Sequence, residues 1–394
     1  ATDASIYQIM PRAVAIPRRE EDLAALVQIA REEGVPVLAR GGGTSQSGQT
    51  VGDALVIDCS KYLRNVLEVD AEKRTALVQP GLVLDAFNSA IAKTGLWFPV
   101  DVSTKARATL GGMAGNNSCG TRSIRYGVMR DNVTAIDAIL ADGSEARFGE
   151  VVGRPDGRNA PDTAAALMHD LVALGRREAV HLATAYPQTA RRVGGYNLDA
   201  LVPGQTPVNL ATLLVGSEGT LALSKRIALK LSPQPRNKAL GICHFPTFRQ
   251  AMEAAQHIVE LGPVAVELVD RTLIELARDI AMFRPVMDTY VRGAPEALLF
   301  TEFAEDDQAE NLRRLDRLEA LMGDIGLPKS VVKVTSGPEQ RAIWDVREAG
   351  LNIMMSMKSD GKPVSFIEDC AVPLEHLADY TERLTAVFDR HGTK

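Results

Sequence analysis

Between Pro17 and Asp58 the chain changes its hydrophobic period. Leu23, Leu26, Val27 and Ala30 recur at helical spacing in "PRREEDLAALVQIAREEG", with acids in the first turn and Gly34 at the end, which predicts a helix. The runs "VPVLA" and "ALVIDCS" are short and β-rich, and they flank a cluster of glycines. "RTALVQPG" is expected to continue that sheet, and "LVLDAFNSAIAKTG" is a second amphipathic helix ending at Gly95. A long glycine-rich loop is expected over residues 99–132. "TAIDAILADGSEARFG" then reads as a hairpin turning on Asp142-Gly143, and "ATLLVGSEGTLALSKRIALKL" as two strands broken by Gly216 and Gly219. Two prolines in "LSPQPRNK" (Leu231 to Lys238) interrupt the pattern and mark a domain boundary. Beyond it the strands "GICHFP", "VAVELVD", "ALLFTEFA" and "VVKVTS" alternate with the helices "TFRQAMEAAQHIVELG" and "DDQAENLRRLDRLEALMGDIG". Two more helices, around Trp344 and Leu377, flank a strand "PVSFIEDCAV". This half predicts an α+β arrangement, a sheet with helices on one face.

Composition narrows the function classes. A chain of 394 residues has room for two cores, and 45% apolar with 24% charged residues is ordinary globular usage. A net charge of −6 argues against a nucleic-acid partner, which calls for a basic surface. No apolar run reaches the roughly 18 residues that would cross a bilayer, and the N-terminus shows no signal-peptide pattern. Cys59, Cys119, Cys243 and Cys370 are too scattered for a zinc or iron–sulfur loop, so reduced structural thiols in a cytoplasmic protein are expected. The chain starts without Met and ends soon after a helix-like segment, which is expected of a piece of something longer.

Three stretches carry candidate chemistry. In "RGGGTSQSGQT" the residues from Gly43 read G-x-x-x-x-G-Q-T, a phosphate-loop signature with Gln49 in the lysine position. Successive N–H groups of such a loop can hold a diphosphate, but without the lysine it is poorly suited to phosphoryl transfer, which excludes a nucleotide triphosphatase. The dinucleotide fingerprint G-x-G-x-x-G fails too, because position 46 is Gln. The plain alternative is a flexible glycine turn. The second stretch, "PVDVSTKARATLGGMAGNNSCGTRSIRYG", is long, polar and without period, as expected of a loop wrapped on a ligand with amide-like edges such as an isoalloxazine ring. The third, "VGSEGTLALSKRIALKL", places Glu218 and Gly219 in a break where backbone can approach a ring or a ribose, or where a β-bulge sits.

Taken together, the three stretches resemble the FAD-binding domain of the vanillyl-alcohol oxidase / p-cresol methylhydroxylase superfamily. Within it the likeness is to the D-2-hydroxy-acid dehydrogenase branch, above all to the flavoprotein part of the long bacterial D-2-hydroxyglutarate dehydrogenase type. The resemblance implies a two-subdomain FAD-binding domain over residues 1–234 (subdomains about 1–80 and 81–234). An FAD-linked-oxidase cap over 235–394 follows, cut short at its end and built on an antiparallel sheet. It implies that Gly41, Gly42, Gly43, Thr44, Ser45, Gly48 and Gln49 cradle the pyrophosphate through backbone amides, with Arg40 either offsetting some of the diphosphate charge or serving as a structural arginine. Pro80, Gly81, Asp101, Val102, Ser103, Thr109, Leu110, Gly111, Gly112, Gly115, Asn116, Asn117, Ser118, Gly120, Tyr126, Gly127, Glu218 and Gly219 are expected to line the rest of the cofactor. Relatives that tether flavin covalently often carry His after the three glycines; here Thr44 stands there, so dissociable FAD is expected.

The activity implied is oxidation of a D-2-hydroxy acid, first D-2-hydroxyglutarate, to the 2-oxo acid by hydride transfer to FAD. D-lactate or glycolate dehydrogenase and a non-catalytic FAD-binding subunit stand as alternatives. By resemblance Arg347 in "WDVREAG" holds the substrate carboxylate, as the planar guanidinium fork suits, against the alternative of an ordinary helical ion pair. Leu351 stands where one relative has threonine, and Tyr196 and Asn197 in "VGGYNLDAL" are weaker substrate candidates. The catalytic base is unknown: His169, His181, His244, His257, His376 and His391 lie in ordinary contexts. The metal-binding histidines of relatives, and the iron–sulfur clusters, are expected only beyond Lys394, so this polypeptide is expected to bind FAD with little turnover. The expected electron acceptor is a quinone, an electron-transfer protein or the iron–sulfur part. A homo-oligomer and a place at the periphery of the inner membrane are left open.

Overall fold

Strand β1 (Ala13–Ala15), helix α1 (Glu20–Glu32) and strands β2 (Val37–Arg40) and β3 (Leu55–Asp58) open the structure. It is a computed structural model and describes residues 2–151, 163–189, 191–202, 204, 207–355 and 370–392. The Asp22 carboxylate accepts the amides of Arg18 and Arg19 at 2.8 and 3.0 Å and so fixes the start of α1, while Gly34, at φ 62°, turns the chain out of it. Leu23, Val27 and Ala30 are its buried stripe. β1 and β2 both run parallel to β3, in the order β1-β3-β2.

The chain divides into two units. The first comprises Ala1–Gly120 and Tyr126–Gln234, the second Thr121–Arg125 and Pro235–Lys394. Besides the parallel sheet, the first unit holds β4 (Val66–Asp70), β5 (Thr75–Val78), α2 (Leu84–Ile91) and β6 (Leu96–Trp97). The short helices α3 (Leu110–Asn116), α4 (Ser123–Tyr126) and α5 (Met129–Asn132) come next, α4 lying at the crossing between the units. Then come β7 (Val133–Ile139), β8 (Glu145–Phe148), α6 (Thr163–Ala185), α7 (Ala211–Leu214), β9 (Leu223–Lys230) and β10 (Ser232–Pro233). A five-stranded antiparallel sheet has the order β4-β5-β9-β7-β8. Buried Glu20 ties α1 to this sheet, accepting Gln79 at 2.8 Å and Arg226 at 2.7 Å. Burial alone would raise its carboxyl, but these two donors hold it below the usual range.

The hairpin forms as expected, with Gly143 at φ 87°. Three other expectations are corrected. "RTALVQPG" does not continue the first sheet; it becomes β5, between β4 and β9. Residues 99–132 are not one loop, because Thr109 caps α3 by accepting the Gly112 amide at 3.3 Å and two more short helices follow. "ATLL" is the helical turn α7, with all four residues buried; a short apolar run looks alike in either conformation.

In the second unit, β11 (Ala239–Phe245), α8 (Phe248–Ile258), β12 (Ala265–Asp270), α9 (Arg271–Asp279), α10 (Arg284–Tyr290) and β13 (Ala297–Phe303) come first. They are followed by α11 (Gln308–Asp324), β14 (Val331–Val334), α12 (Gly337–Glu348), α13 (Gly350–Met355) and α14 (Leu377–Arg390). The sheet is antiparallel, as expected, in the order β12-β13-β11-β14. The expectation of helices on one face is corrected. Ala239, Cys243, Phe245, Leu299 and Phe303 pack with α8, α11 and α14, whereas Leu240, Ile242, Leu298, Phe300 and Val334 pack with α9, α10, α12 and α13. Every residue of β11 and of β13 is therefore buried, as in strands covered on both sides. Most of the expected strand "PVSFIEDCAV" lies outside the described residues.

Candidate functional site

In the first unit, β2 delivers the chain into the glycine loop. Among the described residues, the backbone N–H groups of Gly42, Gly43, Thr44 and Ser45 have no acceptor within the chain, and Gly43 takes φ 64°. A run of open amides bent by a left-handed glycine is a concave anion site. Arg40 is not held out toward this row. It donates to the Thr2 carbonyl at 2.7 Å and reaches the Thr50 hydroxyl at 3.4 Å, lying along the loop against Gly43.

The other predicted segments converge on this loop and lock it. A Cβ at Gly41 would run into the Thr109 hydroxyl, one at Gly42 into the Arg107 carbonyl and one at Gly81 into the Cys59 carbonyl. At Gly111 it would lie 2.6 Å from Pro80 Cβ, and Gly120 is equally close to Asp101. Here the amides are already engaged: Gly81 donates to Leu63, Leu110 to Leu82 and Gly111 to Pro80, each at 2.8 Å. These residues therefore join loop to loop, and the side chain of Leu110 is fully buried in the core of the first unit. Val102 accepts the Lys105 amide at 3.1 Å, Asn116 donates to the Ser118 hydroxyl at 3.0 Å, and Gly127 turns at φ 72°. Tyr126 stands edge-on to Trp97, ring centroids 5.5 Å apart.

Asn117 differs from its neighbours. It is fully buried, takes φ 51°, and its Oδ1 accepts the Arg130 amide at 3.0 Å, while its Nδ2 is buried with no hydrogen-bond partner. Behind it lies a network that sequence reasoning missed. Arg130 donates to Asn197 Oδ1 at 2.8 Å and to Asp199 at 3.1 Å, and Arg192 also reaches Asp199. Asn197 donates to the Thr212 and Val215 carbonyls at 3.2 and 2.8 Å, so its amide braces the structure at both ends rather than reaching for a substrate. Tyr196 is exposed, its hydroxyl 2.8 Å from that of Thr220.

Glu218 closes the same neighbourhood. At φ 51° it donates its amide to the Gly115 carbonyl at 2.9 Å, which places Gly219 beside α3. Its side chain is exposed, and partial desolvation pushes its carboxyl up, against the neighbouring Gln49 side chain, which favours the ionised form.

In the second unit Arg347, on α12, donates to Glu267 Oε2 through Nε at 2.9 Å and Nη2 at 2.7 Å. This is the helical-arginine alternative in a specific form, its partner coming from β12 rather than from α12 itself. A second cationic cluster was not anticipated. Glu302, 1% exposed in the middle of β13, accepts both arms of Arg122 at 2.8 and 2.9 Å and the Trp344 indole N–H at 2.9 Å. Burial would raise this carboxyl, but the charges of Arg122 and Lys238 and these hydrogen bonds hold it below the usual range. An acid inside the apolar run "ALLFTEFA" was the available signal. His244 is a satisfied core histidine: its Nε2 accepts the Arg292 amide at 3.0 Å, and burial keeps its pKa low. The thiols of Cys59 and Cys243 are buried and pushed up to about 12, as structural thiols are. Among the described residues no group of His, Cys, Asp and Glu could hold a metal ion, and no helix is long and apolar enough to cross a membrane.

The first unit fits FAD on two structural counts: the open amide row, bent at the left-handed Gly43, suits a diphosphate, and the orphaned Nδ2 of Asn117 is a buried donor that awaits an acceptor. Comparison with known proteins agrees. The FAD binding domain family matches residues 11–149, and the C-terminal domain of FAD linked oxidases matches 234–394. D-2-hydroxyglutarate dehydrogenase of Pantoea ananatis is 30% identical over the whole chain, which spans 40% of that relative's length. D-lactate dehydrogenase of Archaeoglobus fulgidus is 28% identical over 98% of the chain and 73% of the relative. The solved structure of alkyldihydroxyacetonephosphate synthase shares the fold, with a TM-score of 0.60 at 18% identity over 87% of this chain and 55% of that one. With an FAD binding domain followed by the oxidase C-terminal domain, the chain belongs to the FAD-linked oxidases.

Proposed function

We propose that the chain is the flavoprotein part of a dehydrogenase that oxidises a D-2-hydroxy acid to its 2-oxo acid, with D-2-hydroxyglutarate as the first candidate substrate. The observation that carries the cofactor assignment is the row of open amides from Gly42 to Ser45, which would hold the diphosphate, with Asn117 Nδ2 as a further donor for the cofactor. FAD, when bound, supplies the hydride acceptor. With Thr44 in the position after the glycines, the cofactor is held without a covalent bond. Arg347 is the proposed clamp for the substrate carboxylate. For that role its guanidinium has to share with Glu267 or leave it, so Glu267 tunes the availability of the clamp. Electrons then pass to a quinone, an electron-transfer protein or an iron–sulfur partner. A D-lactate or glycolate dehydrogenase is the second reading, favoured by the 73% of the D-lactate dehydrogenase relative that the chain spans.

The test is reconstitution with FAD followed by anaerobic addition of single substrates. A yellow protein bleached by D-2-hydroxyglutarate and far more slowly by D-lactate or glycolate supports the first reading, and the reverse order supports the second. A yellow protein that no D-2-hydroxy acid bleaches, with or without an added divalent metal, is a flavin-binding part that does not turn over on its own, either because its base lies elsewhere or because it is a non-catalytic subunit.

A further inference from the structure

Helix α12 is pinned to the sheet of the second unit by three polar side chains, Gln340, Trp344 and Arg347, at the spacing of one helix face. Gln340, buried, donates to the carbonyls of Lys238, just before β11, and of Val334, the last residue of β14, at 3.1 and 3.0 Å. Trp344 donates to Glu302 of β13 at 2.9 Å, and Arg347 donates to Glu267 of β12. The helix thus crosses the strands in their spatial order, β14 and β11, then β13, then β12 at the margin of the sheet, and there it delivers Arg347. We infer that Glu267 is a positioning residue for Arg347 and not a rival for it, holding one side of the guanidinium so that the other meets the substrate carboxylate. The inference rests on the reading of Arg347 as the clamp and deepens it.

A guanidinium offers a carboxylate two pairs of parallel N–H donors, one along its side, from Nε and Nη2, and one at its end, from Nη1 and Nη2. Glu267 takes the side pair with a single atom, its Oε2 lying 2.9 Å from Nε and 2.7 Å from Nη2. Among the described residues Nη1 has no hydrogen-bond partner, so the end pair stays open to a second carboxylate. A Cβ at position 350 would stand 4.0 Å from Nη1, and Gly350 leaves that space clear. The anchoring member of the pair is also the more buried one: the Glu267 side chain is 17% exposed and that of Arg347 34%.

The surroundings make this contact an orienting one. Gln340 and Trp344 fix the register of α12, and Trp344 also stands edge-on to Phe300 with ring centroids 5.9 Å apart, so the helix holds Arg347 at one place along the sheet. Glu267 pairs with Phe300 in the β12–β13 register and therefore shares the sheet face on which α12 lies. What remains free is the long arginine stem, and Glu267 removes that freedom before a ligand arrives. Ordering one such side chain in advance is worth up to about tenfold in affinity. Against it stands the negative charge of Glu267, which disfavours an incoming carboxylate. Substitution separates the two contributions. Glu267→Gln keeps an oxygen that can accept from Nε and Nη2 and loses the charge, whereas Glu267→Ala loses both.

The experiment is calorimetric titration of the FAD-loaded chain with 2-oxoglutarate and with pyruvate, the 2-oxo acids of two candidate substrates, which reads the clamp without turnover. Glu267→Gln is expected to bind at least as tightly as wild type, and Glu267→Ala about tenfold more weakly than Glu267→Gln. With Arg347→Ala added to each, the difference between Glu267→Gln and Glu267→Ala is expected to vanish, because it passes through the guanidinium. Glutamine has the shape of glutamate, so Glu267→Gln keeps the fold, and flavin absorbance and the urea midpoint are compared for all variants. Binding by Glu267→Ala as tight as by Glu267→Gln, or a difference that survives Arg347→Ala, overturns the positioning role and leaves the clamp reading intact. If Arg347→Ala binds both acids as wild type does, or wild type binds neither, the clamp reading falls and the positioning role falls with it.

Discussion

At the scale of single residues, Asn117 concentrates two demands that are normally met by different side chains. Its left-handed backbone favours glycine, whereas its buried amide anchors the Arg130 N–H on one side and leaves Nδ2 open on the other. The two demands can be separated. Asn117→Ala is expected to cost about 2 kcal/mol of stability, about 1 from the left-handed alanine and about 1 from the lost hydrogen bond. Asn117→Gly recovers the backbone part and should unfold at a higher denaturant concentration than the alanine variant. If Nδ2 serves the cofactor, both variants lose affinity for FAD by a similar factor, about tenfold, because both lack the donor. Affinity that follows stability, so that glycine binds nearly as well as asparagine, would make Asn117 a purely structural residue.

At the scale of elements, what the sequence revealed depended on how many faces of each segment meet protein. α1 was legible because one stripe is buried and the rest is polar, and the β7–β8 hairpin because Asp142-Gly143 declares its turn. The strands β11 and β13 were legible as strands, but their near-continuous apolar runs also announced cover on both sides, and that message went unread along with α9 and α10. The glycines of the candidate site were visible as a pattern, yet not the division of labour among them. Whether an amide is open, as from Gly42 to Ser45, or tied to another loop, as at Gly111, depends on partners remote in sequence. The same is true of Glu302, whose partners Arg122 and Trp344 come from elsewhere in the chain. Removing its charge by Glu302→Gln leaves Arg122 and Lys238 without their buried partner and should cost the second unit about 3–5 kcal/mol. Because the folded carboxyl titrates below its unfolded value, the stability it confers is present above the usual glutamate range and is lost as pH falls from that range through the lower folded value. Wild type should therefore lose its advantage over the variant on acidification from about pH 7 to about pH 3.5, as read by urea unfolding. An advantage that persists unchanged in acid would mean that shape, not charge, holds the cluster.

At the scale of the whole molecule, each unit has its own core, and the chain passes between them at Gly120, Arg125 and Gln234. The residues proposed to hold FAD fall in the first unit, whereas Arg347 and the Arg122–Glu302 cluster belong to the second. The two tryptophans divide in the same way, Trp97 in one and Trp344 in the other, which gives each unit its own optical reporter. Replacing one of them by Phe isolates the other. A ligand that binds only folded protein stabilises whatever folds with its site, by about 2.7 kcal/mol at a hundredfold excess over the dissociation constant. Saturating FAD should therefore raise the unfolding midpoint seen by Trp97 in the Trp344→Phe protein. The midpoint seen by Trp344 in the Trp97→Phe protein should move much less, because its surroundings, Phe300 and Glu302, belong to a separate core. Trp97 borders Tyr126, so its replacement is checked first for unchanged FAD affinity. Equal shifts at both reporters would show that the two units unfold as one cooperative body and that cofactor binding stabilises the substrate-clamp unit as strongly as its own. A shift at Trp344 alone would place the dinucleotide in the wrong unit and overturn the assignment of the Gly42–Ser45 amides.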